Sequence, residues 1–426
     1  MPQQLALPGT MNRFIATTLP ALRFSRTGLS ILVALLQAFS VAAHAADSPG
    51  PLRVGLIAPL SGDSADVGNS MRRGVELAAK EINEAGGYLG RPLELVVRDD
   101  AGTPSQGREA AEQLVLGERV AFTIGFCNTG VAMKALEVFE QHKHVLLVPC
   151  AQGVPVTSAT PAALSFVFRV APSDAMNARF LVREMVVRRK LTKVALLADA
   201  TPYGDGGVND VTAELARLGQ RPVRVDRLEA GRSPAAALRA ARDAGAEAIV
   251  VYAVGPGQVA ALKARSEMKW KVPYFAPWPL SFGSVAQHAD PEALDGTMMA
   301  QTVIQDGQNE RRATFIARYQ KYAQEPRIGS LMAAAQGYDA TQLALRAVFQ
   351  ARGDLSGPSL KRALENMSQP HHGVVTTYVS PFSATDHEAF SENMIWLGVW
   401  RQGRIQFFHA EDAQLSARVR RKHEPW

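Results

Sequence analysis

Arg53-Val54-Gly55-Leu56-Ile57-Ala58-Pro59-Leu60-Ser61-Gly62 is the stretch from which the rest of the chain can be read. Its first six residues make a short β-rich run, and Pro59-Leu60-Ser61-Gly62 is a turn. A helix follows over residues 69–85, with Met71, Val75, Ala78 and Ile82 on one face at helical spacing and Gly86-Gly87 ending it. A strand that is apolar on both faces needs cover on both faces, which a parallel sheet flanked by helices supplies.

Outward from that unit the alternation repeats. Residues 93–98 read as a strand, Thr103-Pro104 opens a helix as cap and first-turn proline, and Ala110, Ala111, Leu114 and Val115 face inward. A strand at 120–125, a helix from Asn128 or Thr129, and a strand at 145–148 complete the run. The pattern then restarts. Ser173-Asp174 caps a helix reaching Arg189, and strands fall at 194–198, near 223–225, at 249–253 and at 274–276. Helices follow Tyr203-Gly204-Asp205-Gly206 and Ser233-Pro234. Later helices at 310–323, 331–351 and 358–366 precede strands at 374–378, 394–400 and 405–408. The expected fold is α/β, with two doubly wound parallel-sheet lobes joined by two or three crossovers. Lobe 1 takes residues 52–172 with 302–378, and lobe 2 takes 173–301 with 379–410. Residues 411–426 are expected to be a basic, disordered tail.

With 426 residues, 47% of them hydrophobic and 20% charged, the composition is that of an ordinary soluble globular chain. The formal charge of +6 is concentrated at the ends. Arg13, Arg23 and Arg26 precede the first acid, Asp47, so a chain starting at Ala46 would carry +3. Such an excess gives no basic stripe of the kind a nucleic-acid surface needs. Residues 1–45 read as a cleaved signal peptide: Arg23 and Arg26 ahead of an apolar run at 29–41, then Ala43-His44-Ala45. The run is shorter than the roughly 20 residues of a membrane span. Met11 is an alternative start. The mature chain is therefore expected to be exported, and Cys127 and Cys150 are permitted either a disulfide or two buried thiols.

No P-loop, dinucleotide turn or nucleophile elbow is present; Ala58-Pro59-Leu60-Ser61-Gly62-Asp63 and Gly255-Pro256-Gly257 are ordinary turns. His142 with His144, and His371 with His372, lack partners at metal-site spacing and read as solvated. Asp99-Asp100 reads as a turn cap rather than an acid–base pair. What remains is a set of strand-end loops rich in small polar residues, where open α/β sheets bind ligands. These are Ser61-Gly62, Phe126-Cys127-Asn128-Thr129-Gly130, Cys150-Ala151-Gln152-Gly153 and Tyr203-Gly204-Asp205. Asn128-Thr129 starts a helix, whose free N–H groups and positive end suit a carboxylate; capping and binding are compatible there.

Together with Gly74-Val75-Glu76-Leu77-Ala78, Ile82-Asn83-Glu84-Ala85-Gly86-Gly87, Asp99-Asp100, Ile124-Gly125, and Phe168-Arg169 leading to Asp174, the opening stretch and Tyr203-Gly204-Asp205-Gly206 resemble the leucine/isoleucine/valine-binding protein family. These are type I periplasmic solute-binding proteins of ABC importers, and the likeness runs from about Leu52 to Phe408. It implies that Thr129 matches the hydroxyl residue that meets a ligand carboxylate. Ala151 and Gln152 fall in a second contact loop, and Tyr203 matches the aromatic of the other lobe. The departures matter as much. The acidic residue that receives a ligand ammonium falls at Trp278, within Pro277-Trp278-Pro279, and the paired tyrosines fall at Val254 and Gly255. Gly102 stands at one half of the family's disulfide. Either Asp63, Asp66 or Asp205 replaces the missing counter-ion, or the ligand has no ammonium, and Trp278 beside Phe126 and Tyr203 would suit a flat apolar body.

The expectation is thus a periplasmic, non-catalytic binding component that captures an amino acid or related small carboxylate, aromatic ones included. Its ligand-binding set is Ser61, Asn128, Thr129, Ala151, Gln152, Tyr203 and Trp278, with no cofactor or metal. The partners are the small-molecule ligand and an inner-membrane ABC permease, with no nucleic acid and the membrane met only through the permease. A ligand sensor feeding a receptor or kinase is the alternative.

Overall fold

Leu52–Ala58 forms β1 and pairs in parallel with β2 (Leu93–Asp99) on one side and β3 (Thr123–Gly125) on the other. The structure is a computed structural model that describes residues 50–418 and residue 422. The expected signal peptide, residues 1–45, lies outside the described residues. Between β1 and β2 runs α1 (Ala65–Glu84), and α2 (Pro104–Glu112) follows β2, its last turn widening into a π-helical stretch at Gln113–Glu118. Then come α3 (Thr129–Gln141), β4 (Leu146–Val148) and β5 (Val167–Arg169). The first sheet is wholly parallel, in the order β2-β1-β3-β4-β5.

The second sheet starts after α4 (Asp174–Val182), where Ser173 Oγ accepts the amide of Met176 as an N-cap. A π-helical turn, Arg183–Arg188, extends α4. Its elements are β6 (Val194–Asp199), α5 (Pro202–Arg217), β7 (Arg224–Leu228), α6 (Ala235–Asp243), β8 (Ala248–Tyr252), α7 (Pro256–Glu267), β9 (Tyr274–Ala276) and β10 (Met298–Gln301). All five residues of β8 are buried, as expected of a central strand covered on both faces. Of two late strands, β13 (Trp396–Arg401) adds antiparallel to β10 and β14 (Arg404–Phe407) adds antiparallel to β13, so this sheet is mixed, in the order β14-β13-β10-β9-β8-β6-β7.

Between β10 and β13 the chain supplies α8 (Glu310–Ala323), α9 (Leu331–Gln350), α10 (Gly357–Glu365) and a small hairpin of β11 (His371–His372) with β12 (Thr377–Tyr378). α9 lies against α1 so closely that a Cβ on Gly74 would sit 2.0 Å from the carbonyl oxygen of Ala334. Only glycine permits that approach, and it attaches this late helical block to the first sheet. The chain therefore crosses between lobes three times, at residues 170–173, 302–309 and 379–395. The first and third crossings start side by side: the Arg169 amide donates to His387 O, and the Ala389 amide donates to Arg169 O, both at 2.9 Å. The buried Arg169 guanidinium ion-pairs with Glu388 and donates to Thr157 Oγ1 at 2.8 Å.

Three expectations need correction. Residues 410–417 are not disordered: Ala410–Ala417 is a helix, α11, whose Ser416 is buried beside Arg312. Its apolar Ala413 and Leu415 pack on Ile304, Trp396 and Phe407, burial that the basic composition of the tail hid. His144 and His371 are buried rather than solvated, and burial pushes both down to about 4. The strand expected over 374–378 contracts to the two residues of β12, because the Val374 and Val375 amides donate to buried Asp339 of α9 instead of to a neighbouring strand.

Candidate ligand-binding cleft

The carboxyl ends of both sheets face each other across a cavity of about 220 Å³. From lobe 1 it is lined by Ser64 at the start of α1, Gly102 and Pro104 after β2, residues 127–131 after β3, and Cys150 with Gln152 after β4. From lobe 2 come Thr201, Pro202 and Tyr203 after β6, Val254 after β8, and Trp278, Pro279 and Phe282 after β9. None of the lining side chains carries a charge.

The lobe 1 wall is tied together covalently. Cys127 and Cys150 form a disulfide with a Cα–Cα distance of 4.4 Å, joining the loops after β3 and β4; of the two readings open to the sequence, the bridge is the one formed. Asn128 is the N-cap residue of α3, but its side chain does not cap; its Nδ2 donates to Ser64 Oγ at 3.0 Å, leaving Oδ1 buried without a partner. Thr129, buried in the first turn, accepts the Gly153 amide on Oγ1 at 3.2 Å. The first N–H groups of α3 and its positive end therefore point to the cavity without a side-chain cap. Gln152 is 1% exposed; its Oε1 accepts from Asn177 Nδ2 at 2.7 Å, and its Nε2 has no partner. An unsatisfied buried amide of this kind costs about 1–3 kcal/mol, which a ligand oxygen would recover.

The lobe 2 wall is aromatic. Trp278 and Phe282 meet edge to face at 4.8 Å, and Trp278 is almost fully buried. The Tyr203 and Tyr252 rings lie 5.5 Å apart, and neither hydroxyl, both buried, has a hydrogen-bond partner. Burial is the main reason that both phenols sit well above their usual range. Asp199, at the end of β6, accepts from Thr201 Oγ1 and from the Val254 amide (3.2 Å), holding two loops of this wall together.

Five of the seven expected residues, Asn128, Thr129, Gln152, Tyr203 and Trp278, line this one cavity. Ser61 and Ala151 do not. Ser61 Oγ donates to Asp99 Oδ2 at 2.7 Å, and Asp99 also takes the Leu60 and Ala101 amides at 2.8 Å, which together hold its carboxyl below the usual range despite some burial. Ala151 is buried, and its amide donates to Phe126 O. None of the three candidate counter-ions lines the cavity either. Asp66 reaches across to accept the Ser284 amide of lobe 2 at 2.9 Å, Asp205 pairs with Arg227 at 2.7 Å, and Asp63 is exposed. Phe126, expected beside Trp278, packs instead on Phe139 in the lobe 1 core. Ser64, Pro104 and Phe282 were missed; Phe282, four residues after Trp278, was the one with a readable spacing.

Two parallel-dominated sheets with apposed carboxyl ends, three crossings and an uncharged cavity between them define a bilobal binding protein. Residues 51–403 match the periplasmic binding protein family, and the chain belongs to it. Among curated proteins it is 34% identical over 224 residues to Leu/Ile/Val-binding protein homolog 3 of Brucella melitensis, covering 52% of this chain and 58% of that one. It is also 34% identical over 181 residues to Leu/Ile/Val-binding protein BraC3 of Rhizobium johnstonii, covering 42% and 47%. The aligned stretches thus span about half the length of those relatives. Among solved structures, a type 1 periplasmic binding protein of Bordetella pertussis superposes with a TM-score of 0.73 at 22% identity, covering 84% of this chain and 99% of that one. A solute-binding protein of R. palustris in complex with benzoate gives 0.72 at 22% identity, covering 84% and 96%. Both likenesses confirm the type I periplasmic binding protein fold.

Proposed function

We propose that this chain is the exported binding component of an ABC importer and that it captures a small aromatic monocarboxylate lacking an ammonium group. The observation that carries this reading is the cavity lining: free helix N–H groups and an unpartnered Gln152 amide on one side, aromatic rings on the other, and no charged side chain anywhere on the wall. A carboxylate at the start of α3 gains charge-assisted hydrogen bonds with no basic residue. An ammonium in the same space has no adjacent anion, and burying it unpaired costs several kcal/mol after relaxation. That is a large part of the ~8 kcal/mol that a micromolar ligand supplies. The benzoate held by the R. palustris protein of the same fold is a ligand of this class.

In this reading lobe 1 comprises residues 52–172 with 302–378, and lobe 2 comprises 173–301 with 379–410. Thr129, Gln152 and the first turn of α3 hold the carboxylate, while Tyr203, Trp278 and Phe282 sandwich the ring. Ligand binds the closed form better than the open one, which is what shifts the equilibrium toward closure. The closed pair of lobes then meets a permease on the periplasmic side of the inner membrane.

A thermal-shift screen of the mature chain tests this. Benzoate and its hydroxylated relatives should raise the melting temperature, since saturation at about 100 times Kd adds roughly 2.7 kcal/mol. Leucine or valine giving the largest shift would overturn the ligand assignment, and conversion of the bound molecule would overturn the binding role.

A further inference from the structure

Behind the cavity wall lies a group of polar atoms that the capture of a carboxylate leaves unused. Asp174, the first residue of α4, is 1% exposed, and neither of its carboxylate oxygens has a hydrogen-bond partner. It is one residue removed from the ligand space on two sides. Its amide donates to Gln152 O at 2.7 Å, and Gln152 lines the cavity. Tyr203 turns a ring to the cavity while its hydroxyl is buried within the field of Asp174.

The groups that face Asp174 can be taken element by element. From its own helix comes Asn177, which is held by Gln152. From β5 comes Arg169, whose guanidinium is taken up by Glu388, Gly153 O and Thr157. From α5 come Tyr203 and Asp210, and from β8 comes Tyr252. β10 brings no titratable residue, and Glu392 of the 3-10 turn against α4 is paired with Arg179. The position at a helix N-terminus favours the ionised acid by about 0.3–1 kcal/mol, whereas burial of an unpaired carboxylate disfavours it by several. Burial wins, and with the neighbouring charge of Asp210 it pushes Asp174 up to about 7; burial and Glu214 push Asp210 to about 6.

We propose that capture of a carboxylate in this cleft is proton-linked: the entering anion raises the proton affinity of Asp174, so near and above neutral pH the site takes up a fraction of a proton from solution as the ligand binds. The inference rests on the carboxylate reading above. Its sign follows from Coulomb's law, since an anion one residue away makes the ionised form of Asp174 costlier still and raises its pKa further. Below about 7 the site already holds the proton and affinity is at its limit; as pH rises through that value the anion must enter beside a charge, and binding weakens.

Isothermal titration of benzoate into the full mature chain, in buffers of different ionisation enthalpy, reads this directly. A ligand-induced rise of one pKa unit gives about sevenfold tighter binding near pH 6 than near pH 8.5, and uptake of about half a proton midway. Asp174→Asn should bind benzoate with an affinity that no longer varies over this range. It should also abolish the loss of stability that the wild type shows as pH rises from 3.8 through about 7. Asp210→Asn, at a half-buried position, should move the dependence to lower pH. Equal wild-type affinity at both pH values with no proton taken up overturns the proposal and leaves the carboxylate reading standing. Tighter benzoate binding at alkaline pH overturns it, because the ionised Asp174 would then favour the anion rather than oppose it. No benzoate binding at either pH overturns the carboxylate reading and this proposal together.

Discussion

The two walls of the cleft are built by different means. Lobe 1 presents amides, a hydroxyl and a helix start, fixed by the Cys127–Cys150 disulfide and by the Asn128–Ser64 and Thr129–Gly153 hydrogen bonds. Lobe 2 presents rings, held by edge-to-face packing and by Asp199. Directional groups lose their value with small displacements, so they sit on the cross-linked wall. Apolar contact tolerates more movement, and it sits on the wall that carries no disulfide. In the proposed reading, the comparison teaches that orientation and grip come from lobe 1 and desolvation from lobe 2.

Removing the rings should break the lobe 2 side most severely. Trp278→Ala is expected to weaken benzoate about 100-fold, or roughly 3 kcal/mol, by calorimetric titration. An unchanged Kd would reduce Trp278 to a packing residue. The lobe 1 side can be loosened by the double variant Cys127→Ser/Cys150→Ser. With the cysteines 23 positions apart, chain entropy puts its cost at about 3 kcal/mol of stability, read from chemical denaturation. Its affinity should fall more than that of an equally destabilised variant elsewhere; an equal fall would mean the bridge does nothing for the grip. Thr129→Val probes the finer detail and should cost about 1 kcal/mol, or several-fold in Kd. Ser61→Ala is its control: because Ser61 faces Asp99, Kd should stay put, and a matching loss would return Ser61 to the site.

Much of this was readable from residues. The β-α alternation, the cap at Ser173 and the bounds of helix Glu310–Ala323 follow from periodicity and capping chemistry alone. β5 and β10, runs of three and four residues, were not expected as strands, although β4 and β9, equally short, were. Asn128, Thr129, Gln152 and Tyr203 were legible because strand-end loops are where such sheets bind, whereas Trp278 came from the family resemblance, at the position of the absent acid. Ala151 and Ser61 share those loops but turn elsewhere, and side-chain direction in a loop depends on hydrogen bonds that sequence does not display. The Asp174 group could not be seen at all: its residues are spread from 152 to 252 and meet only through the packing of α4, α5 and β8.

The paired crossings have a consequence for motion. Because the strands at Arg169 and Glu388 are stitched together by two backbone hydrogen bonds and an ion pair, they bend as one ribbon rather than as two independent cords. A ribbon flexes more easily about a single line than in torsion, so opening of the lobes is expected to follow mainly one arc. In the proposed reading, a permease that docks against both lobes then needs to sense only one coordinate to distinguish a loaded carrier from an empty one.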